Sequence, residues 1–314
     1  MLIIDAPTTQ QALPFPTLIE ALRRMFLSHC EVPRRCVLQV APIVPEGPSG
    51  VTSLVMPAWN ARYYGVKIVN IAPGNAARGL AGLHSSYLLH DATTGVPLAL
   101  IDGDAITARR TAAASALAAS WLARADARHL LVVGAGKIAR LLPEAYRAVR
   151  TIDRVSVWAR SPDQAEMLVR ELCDAGINAT VSIDLAASVA EADIVSCATL
   201  ANSPIVLGGW LAPGSHLDLI GGFTPAMRET DDACFAGASL FVDTEEALQK
   251  SGDLLGPMAR GVFSAADVRA TLAQLVAAER SGRGSESERT VFKSVGTALE
   301  DLAAAVLVYE SQQA

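Results

Sequence analysis

The sequence predicts an α/β protein with two domains, one built on a doubly wound parallel sheet and one of α+β type. Three observations predict it. From His129 onward, short β-branched runs alternate with helical stretches, the pattern of parallel strands and crossover helices. Before Thr107, apolar runs are separated by Gly, Pro, Asn and Thr with no helix between them, which predicts hairpins and meanders. The length of 314 residues is enough for two cores. With 51% hydrophobic and 18% charged residues, the composition excludes a disordered chain. A net charge of −6 argues against a nucleic-acid binder and gives no reason to expect an anionic membrane surface as partner.

The elements follow in order. Leu18, Ile19, Leu22, Met25 and Phe26 recur at helical spacing and predict an amphipathic helix over about 16–29. Strand-like runs then cover Arg35–Val44, Val51–Met56, Tyr63–Ile71, Ser85–His90 and Pro97–Ile101. TARRTAAASALAASWLARA is an Ala-rich helix whose small side chains suit close packing. Thr107 is its expected N-cap, which puts Arg109 and Arg110 in the first turn. HLLVV, RVSVWAR, ATVSI, ADIVSCAT, SHLDLIGG and ASLFVD read as the strands of the second region. Asp218 and Asp243 are expected as strand-end caps. A long C-terminal helix is expected over roughly Thr290–Glu310, and Ser281–Glu288 is the expected mobile linker. These boundaries divide the chain into residues 1–122, 123–288 and 289–314.

Ile194–Leu217 carries no formal charge, but Pro204, Gly208, Gly209, Pro213 and Gly214 interrupt it, so strand and loop are expected rather than a membrane span. The N-terminus lacks the basic and apolar regions of a signal peptide. Five scattered cysteines without a CxxC pair predict a reduced, cytoplasmic protein with neither a disulfide framework nor a metal cluster.

Gly134-Ala135-Gly136-Lys137-Ile138-Ala139 matches G-x-G-x-x-A after an apolar strand. The first Gly permits the tight turn, the second lets backbone approach a pyrophosphate, and the small last residue allows close helix packing. This predicts a Rossmann-type dinucleotide site, with Pro143 kinking or shortening the following helix. The next strand ends Trp158-Ala159-Arg160-Ser161, with no carboxylate to bind a ribose 2′-hydroxyl. An Arg and a hydroxyl there suit a 2′-phosphate, so NADPH is favoured over NADH.

Two further features concern anions. Arg109 and Arg110 near a helix start oppose the helix dipole unless an anion sits there, and only one of them need face it. Lys67 interrupts the apolar run Tyr63–Val69, so it lies either at an exposed edge or against a buried anion.

YYGVKIVN, ALIDGDAITARRTAAASALAA, LLVVGAGKIA, VSVWARS, DIVSCATLANSPI and TVFKSVGTALEDLAAA occur in that order. Together they resemble the ornithine cyclodeaminase/mu-crystallin family over nearly the whole chain. The resemblance implies a substrate-binding and dimerisation domain, to which the C-terminal helix returns, and an inserted Rossmann domain. It also implies a homodimer in which the two substrate-domain sheets pair across the axis. Arg35 (with Arg34 as rival), Lys67 and Arg110 map onto the carboxylate-binding cations. Thr199 matches a position near the nicotinamide ribose, and Ser86 one where relatives place Thr beside the substrate. His84, two residues from Ser86, becomes a candidate proton donor, and Met56 and Phe223 are candidates for the ring pocket.

One departure is informative. The cyclodeaminases have Asp where this chain has Phe223, and deamination needs a general base that Phe cannot supply. The resemblance therefore implies NADPH-dependent reduction of cyclic ketimine 2-carboxylates. Δ1-Pyrroline-2-carboxylate would give L-proline, and Δ1-piperideine-2-carboxylate would give L-pipecolate. Ornithine cyclodeamination, amino-acid dehydrogenation and a non-catalytic NADPH-binding protein stay open as alternatives.

Overall fold

The chain opens with a short strand, β1 (Leu2–Ile4), and a short helix, α1 (Ala6–Gln11), whose N-cap Asp5 accepts the Thr8 N–H. The computed structural model describes residues 1–40 and 50–313. Helix α2 (Phe15–Leu27) follows, burying Phe15, Leu18, Ile19, Leu22 and Met25 on one face as the spacing requires. Strands β2 (Cys36–Val40), β3 (Val51–Trp59), β4 (Tyr63–Ile71), β5 (Leu83–Asp91) and β6 (Pro97–Asp102) realise the five expected runs. The last part of the first run, 41–44, lies outside the described residues. These strands form one sheet in the order β1-β6-β5-β4-β3-β2, antiparallel except for β1 against β6.

Helix α3 (Gly103–Leu122) begins earlier than expected. Asp102 Oδ1 accepts the Ala105 N–H at 2.7 Å, so Asp102, not Thr107, caps it. Arg109 and Arg110 therefore lie in the second turn, where the dipole argument no longer applies. The carbonyls at the helix end and just beyond it are held by guanidinium groups. Arg150 donates to Ser120 O, Ala123 O and Arg124 O, and Arg283 donates to Leu122 O.

The second sheet is entirely parallel, as predicted. Its elements in chain order are β7 (His129–Val133), α4 (Leu142–Arg147), β8 (Arg154–Trp158), α5 (Pro162–Asp174), β9 (Ala179–Val181), α6 (Leu185–Glu191) and β10 (Ile194–Cys197). β11 (His216–Leu219), β12 (Ser239–Val242), α7 (Ala247–Lys250), α8 (Gly252–Ala259), β13 (Val268–Thr271), α9 (Leu272–Val276) and β14 (Thr290–Lys293) complete it. The strand order is β13-β12-β14-β11-β10-β7-β8-β9. From β7 the chain runs outward through β8 to β9, then returns to place β10 on the other side of β7. That reversal is a topological switch point, where ligands of such sheets bind beyond the strand C-termini. Pro143 lies in the first turn of α4, so the helix after the glycine motif is shortened rather than kinked.

Two expectations are corrected here. Residues 290–293 form β14, not the start of the C-terminal helix, because the buried TVFK run pairs with both β11 and β12. Helix α10 (Ala298–Ser311) starts only after Gly296 (φ +78°) and the Thr297 cap. Asp218 is not a strand-end cap. It is the third residue of β11, fully buried, and accepts from Ser115, Tyr146 and Ser196. Asp243 does cap its strand, accepting the N–H groups of Thr244, Val295 and Gly296.

The chain divides into two compact units, Met1–Arg110 with Thr297–Ala314, and Thr111–Gly296. The division points differ from the expected boundaries after 122 and 288. The C-terminal half of α3 joins the second unit, where Ser115 meets Asp218, and β14 is an internal strand of that unit. Ser281–Glu288 is a loop inside the second unit, not a linker. Glu288 accepts the N–H groups of Gly284 and Ser285 and the Ser239 hydroxyl, and Arg283 donates to Ser215 O. No helix among the described residues is long and apolar enough to cross a membrane.

Candidate active site

In the first unit, the sheet's two faces differ in chemistry. Lys67 on β4 pairs with Met56 on β3 and Tyr87 on β5, and Tyr87 pairs with Ile101 on β6. These residues share one face, and α10 packs over β3 and β4. One position beside this row is shaped by the phenol of Tyr87. A Cβ on Gly65 would lie 2.0 Å from the Tyr87 hydroxyl oxygen, so only Gly leaves room for the ring. Arg35 immediately precedes Cys36, the first residue of β2, and is half-buried.

Lys67 is 1% exposed, which settles the edge-or-anion question in favour of a buried anion. Its Nζ stands 2.7 Å from both carboxylate oxygens of Asp301 on α10. Arg110 joins the same carboxylate, with Nε 2.8 Å from Asp301 Oδ1, and its Nη1 reaches Glu300 Oε2 at 2.7 Å. Two cations and two carboxylates therefore form a buried, charge-neutral group. Its titration is asymmetric because the partners are shared unequally. Burial pushes the Lys67 pKa down to about 8, with Arg110 adding to the fall and Asp301 opposing it. Burial alone would raise the pKa of Asp301, but two cations hold it below the ordinary carboxylate value. Burial also opposes the charge on Arg110, and the two carboxylates overcome that and raise its pKa.

Arg109 is not part of this group. Its Nε donates to Leu13 O at 2.6 Å and its guanidinium lies 4.2 Å from the Phe15 ring centroid. Ser86 and His84 are also placed elsewhere. Ser86 pairs with Ile68 and Asp102, and His84 pairs with Asn70. Neighbours on a strand point to opposite faces, so both lie across the sheet from Lys67, and both are exposed. The two share a face, as their spacing requires, and it is the face opposite Lys67. Ser85 shares the Lys67 face and donates to Asp104 Oδ1 at 2.7 Å. His90 stacks on Tyr64 with centroids 5.2 Å apart. Arg34 is exposed.

In the second unit, the glycine motif leaves β7 at the switch point. Gly134 has φ +126°, and a Cβ there would lie 2.6 Å from Ala198 O and 3.5 Å from Thr199 Cγ2. The β7 and β10 loops therefore touch at this glycine, and Thr199 borders the turn. A Cβ on Gly136 would meet nothing within 4 Å, so the backbone there faces open space that a pyrophosphate could enter. Ala135, Lys137 and Ile138 complete the turn before α4. Beyond β8, Ala159 is half-buried, while Arg160 and Ser161 are exposed at the start of α5. This donor set fits a dinucleotide. Phe223 follows Gly221 and Gly222 after β11 and is 37% exposed.

Sequence reasoning missed Asp301 and Glu300. Their signal was an acidic pair inside the apolar run ALEDLAAAV, which also reads as ordinary first-turn acids of a helix. It also missed Lys293, Asp253 and Glu229, all fully buried. Lys293 carried a signal like that of Lys67, a lone cation in an apolar strand, here at the strand's end.

Comparison with known proteins gives a consistent picture. The model of the ornithine cyclodeaminase/mu-crystallin family matches residues 21–314. A Delta(1)-pyrroline-2-carboxylate reductase of Paracoccus denitrificans is 46% identical over 259 residues, 82% of each chain. A solved structure of Thermococcus litoralis Delta(1)-pyrroline-2-carboxylate reductase with NADH and L-proline superposes with TM-score 0.92 at 34% identity. It spans all of this chain and 98% of its own. An archaeal alanine dehydrogenase dimer with bound NAD superposes with TM-score 0.91 at 29% identity, over all of this chain and 97% of its own.

Proposed function

Because this chain belongs to the ornithine cyclodeaminase/mu-crystallin family, we propose that it is an NADPH-dependent reductase of cyclic ketimine 2-carboxylates. Its preferred substrate is Δ1-pyrroline-2-carboxylate, reduced to L-proline, and Δ1-piperideine-2-carboxylate is a second. The observation that carries the reading is the convergence of Lys67 and Arg110 on one buried carboxylate in a relative of reductases.

The nicotinamide supplies a hydride for C2 of the imine. The protein's own residues bind and orient. Lys67 and Arg110 are charge-balanced by Asp301 and Glu300, so a substrate carboxylate adds one negative charge. Arg35, just before β2, is the third cation that the family resemblance assigns to that carboxylate. Lys67 is ammonium at neutral pH, and its pKa of about 8 suits a group that exchanges a proton during turnover. Phe223 offers no base for adding water, which favours reduction over deamination.

Arg160 and Ser161 support the preference for NADPH, since a guanidinium and a hydroxyl follow β8 where an NADH site places a carboxylate. The Thermococcus litoralis relative was solved with NADH, so both cofactors belong in the test.

We also place the protein as a homodimer. The sheet face opposite Lys67 carries Ile3, Leu100, Leu88, Val66 and Pro57 in one row, with Ile68 and Leu38 in the rows beside it. Ile3, Leu38, Ile68 and Leu100 are exposed on the single chain, an apolar face that suits a second copy. Ser86 and His84 lie on this face. The five free thiols suit a cytoplasmic setting.

The test is cofactor oxidation by purified protein with Δ1-pyrroline-2-carboxylate. Rapid NADPH use, slower NADH use and no ammonia from ornithine are expected. Ammonia from ornithine without NADPH oxidation would overturn the reading.

A further inference from the structure

Beneath the loops that follow β10 and β11 lies a buried charge cluster with no part in the carboxylate clamp. Glu229, Asp253 and Lys293 are each fully buried. One oxygen of Glu229, Oε1, accepts both the Thr199 N–H at 2.7 Å and the Thr199 hydroxyl at 2.8 Å. Asp253 Oδ1 accepts the N–H of Glu229 at 2.8 Å, which holds that residue from behind. Asp253 Oδ2 lies 3.3 Å from Lys293 Nζ, and Lys293 also donates to Gly221 O. The chain of contacts thus runs from Thr199 through Glu229, Asp253 and Lys293 to the Gly221–Phe223 loop.

The two loops are packed as closely as backbone permits. A Cβ on Gly221 would lie 2.2 Å from Thr199 O and 2.5 Å from Glu229 Oε1. Gly222 adopts φ +56°, and a Cβ there would lie 2.0 Å from Asp253 Oδ2. On its other side the Thr199 loop abuts Gly134, the first glycine of the dinucleotide turn. Burying two carboxyl groups and one ammonium costs free energy, which pushes the Glu229 pKa up to about 8, and an all-apolar packing would be cheaper. What the cluster provides is a fixed position for Thr199, because Glu229 takes both of its donors on one atom.

We propose that Glu229 is a positioning residue for the nicotinamide cofactor, holding the Thr199 loop against Gly134 and, through Asp253 and Lys293, against the Gly221–Phe223 loop. The inference rests on the nicotinamide reading of the site. Glu229 touches Thr199, and it acts on the cofactor only through that residue.

Two measurements test it. Amide exchange on the protein without cofactor should show the 198–201 segment loosened in Glu229→Ala by about tenfold, with β7 and β8 unchanged. Titration with NADPH and NADH should show affinity lowered by about tenfold in Glu229→Ala and by less than about threefold in Glu229→Gln, whose amide oxygen still accepts from Thr199. Wild-type exchange and affinity in Glu229→Ala would overturn the proposal, as would Glu229→Gln behaving like Glu229→Ala. Should Glu229→Ala not fold, Thr199→Val replaces it in the exchange measurement on the protein without cofactor. Val removes the hydroxyl bond to Glu229 and should loosen the 198–201 segment by about fivefold. Wild-type exchange in Thr199→Val would then overturn the proposal. Wild-type protein that binds neither nucleotide would overturn the nicotinamide reading itself, and this inference with it.

Discussion

Lys67 is the position where geometry and titration make the sharpest joint demand. Burial carries its pKa from 10.5 to about 8. The facing groups are Asp301 and Glu300 on α10, Arg110 on α3, and Tyr87 beside it on β5. If the ammonium clamps the substrate carboxylate, kcat/KM should fall about tenfold per pH unit above pH ~8, because only the charged form works. Lys67→Arg tests this, since a guanidinium does not titrate in that range. Its activity can be lower at every pH, but the part of the alkaline limb set by Lys67 should vanish, leaving only what the substrate imine contributes. The assay is initial-rate NADPH oxidation at low Δ1-pyrroline-2-carboxylate from pH 6.5 to 10. The substrate imine also titrates, but it contributes equally to both proteins. Stability gives a second measure. A lowered folded pKa means that the unfolded state binds more protons between pH ~8 and 10.5, so stability rises with pH across that window. The fall from 10.5 to about 8 corresponds to about 3 kcal/mol, present in wild type and absent from Lys67→Met. An alkaline limb of the same position in Lys67→Arg, or a wild-type profile flat to pH 10, would refute the assignment.

Asp218 has the opposite sign. Burial raises its pKa to about 6 against three hydroxyl donors, so its neutral form is favoured and stability falls as pH rises from about 4 to 6. Asp218→Asn should melt higher at pH 7.5, by up to about 3 kcal/mol, with the gap closing below pH 4; a variant less stable at both values would refute this. Gly136→Ala should leave Tm within about 2 °C and weaken cofactor binding about tenfold, because its Cβ enters open space, whereas Gly134→Ala should lower both. Ile68→Glu, on the apolar sheet face, should shift the protein from dimer to monomer in light scattering without unfolding it; a dimer of unchanged affinity would place the interface elsewhere.

Much of the fold was legible because its signals are local. The glycine motif, the strand before it and the end of β8 each sit within a few residues, and β4 matched its expected limits at both ends. Other features depended on partners far along the chain. Arg110 meets Asp301 across 191 residues, and no spacing rule links them. The start of α3 was misplaced because Thr107 is a good cap by type, but Asp102 was already in place to accept the Ala105 N–H. TVFK, short and apolar, reads from sequence as the start of the C-terminal helix, and only its pairing with β11 and β12 makes it a strand.

The sequence by itself determined the family and the parallel sheet with its glycine-rich turn, because residue type and short-range order carry that information, and it pointed to Arg35, Lys67 and Arg110 only through the family resemblance. Tertiary structure decided which groups share a surface. It set Lys67 against Asp301 and turned Ser86 and His84 to the other side of the same sheet, because a one-residue step along a strand reverses the face. It also assembled Glu229, Asp253 and Lys293 beneath the β10 and β11 loops, joining a segment after β11, helix α8 and strand β14 through contacts that form only when the parallel sheet closes around them.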